Sequence, residues 1–235
     1  MLKRNLVMIT MLLALGVALA ACGGSENDTY IDDPIHIVPL IELDYEPTPT
    51  PNDYIPQDSG DASNFSRGFW VGNTYTNEYL GFTFEAPTNW QAHTDAEIAQ
   101  MLGMASDFLD VDDLNDVDVM LIDMLVVCPE TGTNVQVIFE RLPTADRTAM
   151  EYMELASQLL DAIGAIATIT LGTTVIGGYE WHSLATEMDM GFGVAAYGYQ
   201  FVNIKDNFAR LIVVTYFESE PTIVEDVLAR ISNLQ

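Results

Sequence analysis

Leu211-Ile212-Val213-Val214 is apolar at four consecutive positions. Because side chains alternate across a strand, a strand through this run buries both faces and belongs in the middle of a sheet covered above and below. Its neighbours fit that place. Phe208 to Phe217 reads as one strand and Val194 to Ile204 as another, joined by a hairpin around Lys205-Asp206-Asn207. Upstream, Ile166 to Leu171 and Gly178 to Glu187 are further strands, and Val117 to Cys128 pairs with Asn134 to Arg141 around Pro129-Glu130-Thr131-Gly132-Thr133. Thr74 to Asn77 and Gly81 to Ala86 are two short strands about a turn, with Tyr79, Phe82 and Phe84 giving alternate apolar positions.

Three stretches change period from two to 3.6. Asp95-Ala96-Glu97 opens a helix to about Ala105, with Ile98, Met101 and Leu102 on one face and acids in the first turn, where the helix dipole favours them. Thr148 with Glu151 forms a capping box for a helix to about Ile163. Met150, Met153, Leu160 and Ile163 are its inward positions; Glu151, Glu154, Gln158 and Asp161 face out. Pro221, at a first helical position, starts the last helix, through Val224, Val227, Leu228 and Ile231. The expected fold is α+β: an antiparallel β-sheet of about six to seven strands with helices packed on both faces.

This domain is placed at 69–235, where proline and acid density falls at Phe69-Trp70. Cys128 is its single cysteine, so hydrophobic packing and no disulfide holds it. Closing the apolar run Met124-Leu125-Val126-Val127 without a neighbouring histidine, Cys128 reads as a small core residue, with a catalytic thiol as the competing reading. Ahead of the domain, 23–68 is an acidic, proline-rich linker. Ten Asp or Glu lie between Gly23 and Ser66, with no Lys or Arg and prolines at 34, 39, 47, 49, 51 and 56. Such a composition predicts an extended tether. Within it His36-Ile37-Val38-Pro39-Leu40-Ile41 is apolar enough to be a short adhesive motif or to pack loosely on the domain.

Residues 1–22 have the parts of a secretory signal: Lys3 and Arg4, an uncharged apolar run from Asn5 to Ala21, and small residues before a cut. Leu19-Ala20-Ala21-Cys22 resembles the lipobox of bacterial lipoproteins. The resemblance implies recognition of Leu19, Ala20 and Ala21 by the signal peptidase, and a diacylglycerol on the Cys22 sulfur. An uncleaved anchor or an ordinary signal peptide is the competing reading. Gly23-Gly24-Ser25 follow at once, however, without a basic stop-transfer cluster.

The chain carries 35 Asp and Glu against 8 Lys and Arg, a formal charge of −27. Such a surface repels phosphate backbones, which excludes a nucleic-acid role and makes basic proteins and cations the natural partners. In the acidic run 107–118, Asp110, Asp112, Asp113 and Asp116 are candidate calcium ligands. Asn115 stands where an EF-hand counted from Asp110 needs glycine, and Leu121 where it needs glutamate. The two readings are an irregular calcium site and a solvated acidic loop; no metal or other cofactor is assigned.

Gly191-Phe192-Gly193-Val194-Ala195-Ala196 imitates a dinucleotide fingerprint, but Tyr197, Tyr199 and Phe201 continue it as a strand and not as a helix. His36, His93 and His182 have no metal spacing. Trp70, Trp90 and Trp181 read as core or rim aromatics, with sugar stacking as the alternative.

Gly81-Phe82-Thr83-Phe84-Glu85-Ala86-Pro87-Thr88-Asn89-Trp90, with the element order, resembles the PsbP-like group of bacterial lipoproteins and secreted domains, whose opening strand is of G-F-x-F-x-x-P-x-x-W type. That resemblance covers 75–235. It implies an antiparallel sheet with helices on both faces, a C-terminal helix packed back over the sheet, and binding or assembly in place of catalysis. The acidic insertion between Ala105 and Asp118 departs from the group's pattern.

The functional expectation is a non-catalytic binding or assembly module of unknown ligand, anchored by lipid on Cys22 to the extracytoplasmic face of a bacterial cell membrane. Its partner would be a basic protein or other envelope component. The alternative is a cell-envelope hydrolase with unidentified catalytic carboxylates. Replacing Cys22→Ala should release mature-length protein from the membrane fraction; a variant that still pellets like the wild type would refute lipid anchoring.

Overall fold

The computed structural model describes residues 65–109, 120–142, 147–162, 164–191, 194–217 and 222–234. The leader with Cys22, the tether through residue 64, and Asp110, Asp112, Asp113 and Asp116 lie outside the described residues. At the centre is β10 (Phe208–Tyr216), buried at every position but its last. It pairs antiparallel with β6 (Asn134–Arg141) on one side and β9 (Val194–Lys205) on the other. Around this trio β4 (Gln91–Ala92), β5 (Met120–Val127), β7 (Ile166–Ile176) and β8 (Tyr179–Gly191) complete a seven-stranded sheet of order β4-β5-β6-β10-β9-β8-β7.

Alternation along β10 divides the core in two. Ala209, Leu211 and Val213 meet α1 (Asp95–Leu109) and α2 (Ala149–Ala162), through Ile98 on α1 and Tyr152, Met153, Ala156 and Leu160 on α2. On the other face Ile212 and Val214 meet a second antiparallel sheet, of order β1-β2-β3-β11. It comprises β1 (Phe69–Val71), β2 (Thr74–Asn77), β3 (Phe82–Glu85) and β11 (Ile231–Asn233), and its Tyr75, Phe82 and Phe84 rings point inward. Beside it α3 (Ile223–Ala229) contributes Val227.

The single sheet with helices on both faces is therefore corrected: two sheets form, and the smaller one, with α3, takes the second face. One cause is at the C-terminus. The helix expected to run through Ile231 ends at Ala229, and Ile231 pairs with Phe84 instead. The free side of β3 satisfies the backbone of Ile231–Asn233 as a strand, where another helical turn would leave that side unpaired. Thr222 is the N-cap of α3, and Pro221 lies outside the described residues.

Strands β7 and β8 are longer than their apolar patterns indicated because Gly177 and Gly178, with φ of +61° and +78°, form a two-residue hairpin turn. Gly177 has a second role. It abuts the Leu80–Gly81 backbone, and a Cβ on Gly81 would come 2.6 Å from the Gly177 carbonyl oxygen. Only glycines let the two sheets touch there.

The capping box of α2 forms as expected: Thr148 N–H donates to Glu151 Oε2 at 2.8 Å, and Glu151 N–H donates to Thr148 Oγ1 at 3.2 Å. Thr94 and Glu97 make a second one on α1. On α2 Met153 and Leu160 are fully buried and Met150 partly so, while Glu151, Glu154, Gln158 and Asp161 are exposed; Ile163 lies outside the described residues. Leu160→Ala should cost about 2–5 kcal/mol in denaturant unfolding, and Glu154→Ala less than about 0.5 kcal/mol. Equal costs would contradict this packing.

Candidate binding surface

Polar groups that the fold buries are mostly spent on architecture. A bulge between Ile122 and Met124 presents Asp123 to the small sheet. Its carboxylate accepts from Arg67 Nε at 2.9 Å, Gly68 N–H at 2.8 Å, Asn77 Nδ2 at 2.9 Å and the Tyr75 hydroxyl. The Arg67 guanidinium also forks onto Asp95, at 2.9 and 2.8 Å. Burial, reinforced by Asp123, pushes the Tyr75 hydroxyl far above its ordinary pKa. These bonds pin the start of the domain to β5 and α1.

On the helix face, Tyr152 donates to the buried Glu140 at 2.6 Å. Burial raises Glu140 to about 7 even though that hydrogen bond opposes the shift. Arg210 is likewise interior. It donates from Nε to Asn203 Oδ1 at 2.9 Å and lies 4.4 Å from the Tyr179 ring centre and 5.6 Å from those of Tyr79 and Trp181. Lys205 donates to the Tyr179 hydroxyl at 3.2 Å, which lowers that phenol's pKa.

The small sheet leaves one corner of the large sheet open. Register aligns Ile166, Glu187, Tyr197 and Tyr216 in one row across β7, β8, β9 and β10, and cross-strand partners share a face. The next row is Thr168, Ala185, Tyr199 and Val214. Val214 and Phe201 are buried under the small sheet, which fixes the face. Toward the edge the cover thins: Tyr199, Tyr197 and Tyr216 are half-buried, Glu187 and Thr168 exposed, and Ile166 is 66% exposed. The Tyr197 and Tyr216 rings stack at 5.4 Å with 18° between planes. Burial, then the neighbouring Tyr197 and Tyr199, raises the Tyr216 phenol. Such a corner can hold a partner by ring contact and by one carboxylate.

A groove of about 310 Å³ runs between α3 and the β5–β6 turn, walled by Phe84, Trp90 and Val227 and bordered by Thr131, Asp226 and Arg230. Among the described residues its lining holds a single carboxylate, Asp226. Acid–base hydrolysis of a glycoside needs a pair about 5 to 10 Å apart.

Of the residues singled out in the sequence, Cys128 is a buried free thiol beside this groove. Trp181 is fully buried, and Trp70 and Trp90 are half-buried. His93 lies before α1, 3.8 Å from Glu97, and His182 lies on β8. Gly191 and Val194 close the β8–β9 hairpin in register, as a strand reading requires. Among the described residues no three His, Cys, Asp or Glu converge as metal ligands. The sequence reading found the tyrosine alternation of β9 but not its alignment with Glu187 and Tyr216, which depends on register across separate strands.

No family model and no curated protein matches the chain. Among solved structures it is similar to cyanobacterial PsbP (CyanoP) from Synechocystis sp. PCC 6803, at 14% identity over 76% of this chain and 99% of that one, with a TM-score of 0.42. It is also similar to LpqN, involved in cell envelope biogenesis of Mycobacterium tuberculosis, at 8% identity over 66% and 83%, TM-score 0.38. A Bacteroides thetaiotaomicron VPI-5482 structure is 11% identical over 72% of this chain and 48% of its own length, TM-score 0.35. All three scores are below 0.5, so function is argued from this chain's own residues.

The Glu140 shift sets a pH dependence. Its folded pKa, about 7, lies above its ordinary 4.5, so the protonated form stabilises the fold. That stability is full below pH 4.5 and is lost as pH rises through 7. Thermal melts should show a loss of up to about 3 kcal/mol between pH 5 and 8, and Glu140→Gln should flatten the profile. An equally steep profile in the variant would remove Glu140 as the cause.

Proposed function

We propose that the chain is a lipid-anchored, extracytoplasmic binding module that engages a basic protein or other envelope component through the tyrosine corner, without catalysis. The corner itself carries the reading: stacked Tyr197 and Tyr216 lie beside Tyr199 and exposed Glu187, on an open sheet face. Tyrosine is enriched at binding hot spots because it offers a large ring and a polar tip at little conformational cost. The charge fits a basic partner, since between Arg67 and Gln235 there are 25 Asp and Glu against 6 Lys and Arg, and two of those bases, Lys205 and Arg210, pack against tyrosine rings. Support for the anchor is the Leu19-Ala20-Ala21-Cys22 motif with the acidic tether behind it.

A Tyr197→Ala/Tyr216→Ala variant should weaken partner capture from native membranes by about 30-fold, corresponding to about 2 kcal/mol at a hot spot, while remaining folded. The wild-type on-rate should fall from low to physiological salt. Undiminished capture by the folded variant would reject the corner. Turnover of a cell-wall substrate, abolished by Asp226→Asn, would install the hydrolase reading.

A further inference from the structure

The outer edge of β7 borders the tyrosine corner. β7 pairs with β8 alone, and among the described residues Ile166 to Thr170 make no backbone hydrogen bond on their other side. Natural sheets protect an exposed edge with lysine, proline, inward charges or short length. The other edge strands here follow that rule by length: β4 has 2 residues, and β1 and β11 have 3 each. β7 has 11, and Ile166-Ala167-Thr168-Ile169-Thr170 contains no charge and no proline. A bulge between Thr170 and Thr174, with Gly172 at φ +107°, interrupts the strand, so the regular edge is Ile166 to Thr170.

The edge itself carries no charge, and the elements that flank it, β8 and α2, carry carboxylates. On the open face, Ile166 adjoins Glu187 and then Tyr197. On the other face, Ala167 and Ile169 pack in the core beneath α2, whose Glu151, Glu154 and Asp161 are exposed. We infer that Ile166 to Thr170 accepts an extended, lysine- or arginine-bearing segment of a partner as an added strand. The inference rests on the tyrosine corner being the binding surface. Main-chain hydrogen bonds to β7 supply affinity, and the basic side chains of the added strand that share the open face reach across Ile166 to Glu187. A second copy of this chain is the poorer occupant, because its β7 edge brings no base and its own carboxylates repel.

The probe is a capped heptapeptide with lysine at alternate positions and valine or threonine between, added to the chain freed of residues 1–22. Amide hydrogen exchange across Ile166 to Thr170 should slow by about tenfold at alternate residues, those whose N–H points away from β8. The same peptide with glutamate for lysine should do nothing. A lysine peptide N-methylated at alternate residues, unable to pair, should lose the protection. Binding that perturbs Tyr197 and Tyr216 but leaves the β7 amides unchanged would overturn strand addition while sparing the corner. Absence of any response to the lysine peptide would overturn it too, as would β7 protection that grows with protein concentration alone and so assigns the edge to a second copy.

Discussion

Burying β10 on both faces means that neither face of the large sheet can be left to water over its middle. Leu211 and Val213 require one apolar layer, Ile212 and Val214 another, and no single helix pair supplies both. The chain answers with α1 and α2 on one side and a small sheet with α3 on the other. Each cover is then fastened by a buried polar bond that hydrophobic contact alone could not orient. Asp123 ties Arg67, Gly68, Tyr75 and Asn77 to β5, and Glu140 ties Tyr152 to β6. A buried carboxylate without partners costs several kcal/mol, so each bond specifies one seating of its layer.

How far this was legible in the sequence depended on how local the cause was. Asn134–Arg141 has its strand limits written in its neighbours, a glycine turn before and a proline after, and α2 has Thr148 and Glu151 in place to start it. Cys128 at the end of an apolar run read correctly as buried. Ile231 did not, because its spacing from Val224, Val227 and Leu228 suits a helix, and only the distant Phe84 strand makes it β. The second sheet was lost for a related reason: its strands are 3 or 4 residues long, and β11, which closes it on β3, comes from the opposite end of the domain. Asp123 and Arg210 look like surface charges until the bulge and the tyrosine rings around them are known.

The same distinction separates structure from function in the molecule. Strongly shifted groups such as Tyr75, Tyr152 and Glu140 owe their shifts to burial between layers, and their partners are the neighbours that hold the layers together. The tyrosine corner is different, because its rings remain half-buried where the small sheet stops covering the large one. Its acidic setting favours basic partners by long-range attraction, as the proposed binding role requires.

Hydroxyl-radical footprinting of the full-length protein in its native envelope, set against the purified chain lacking residues 1–22, tests whether this corner is the working surface. Tyr197, Tyr199 and Tyr216 are expected to lose reactivity in the envelope while Trp90, in the groove beneath α3, keeps it. Unchanged tyrosines together with a protected Trp90 would move the site to the groove and contradict the reading of the corner.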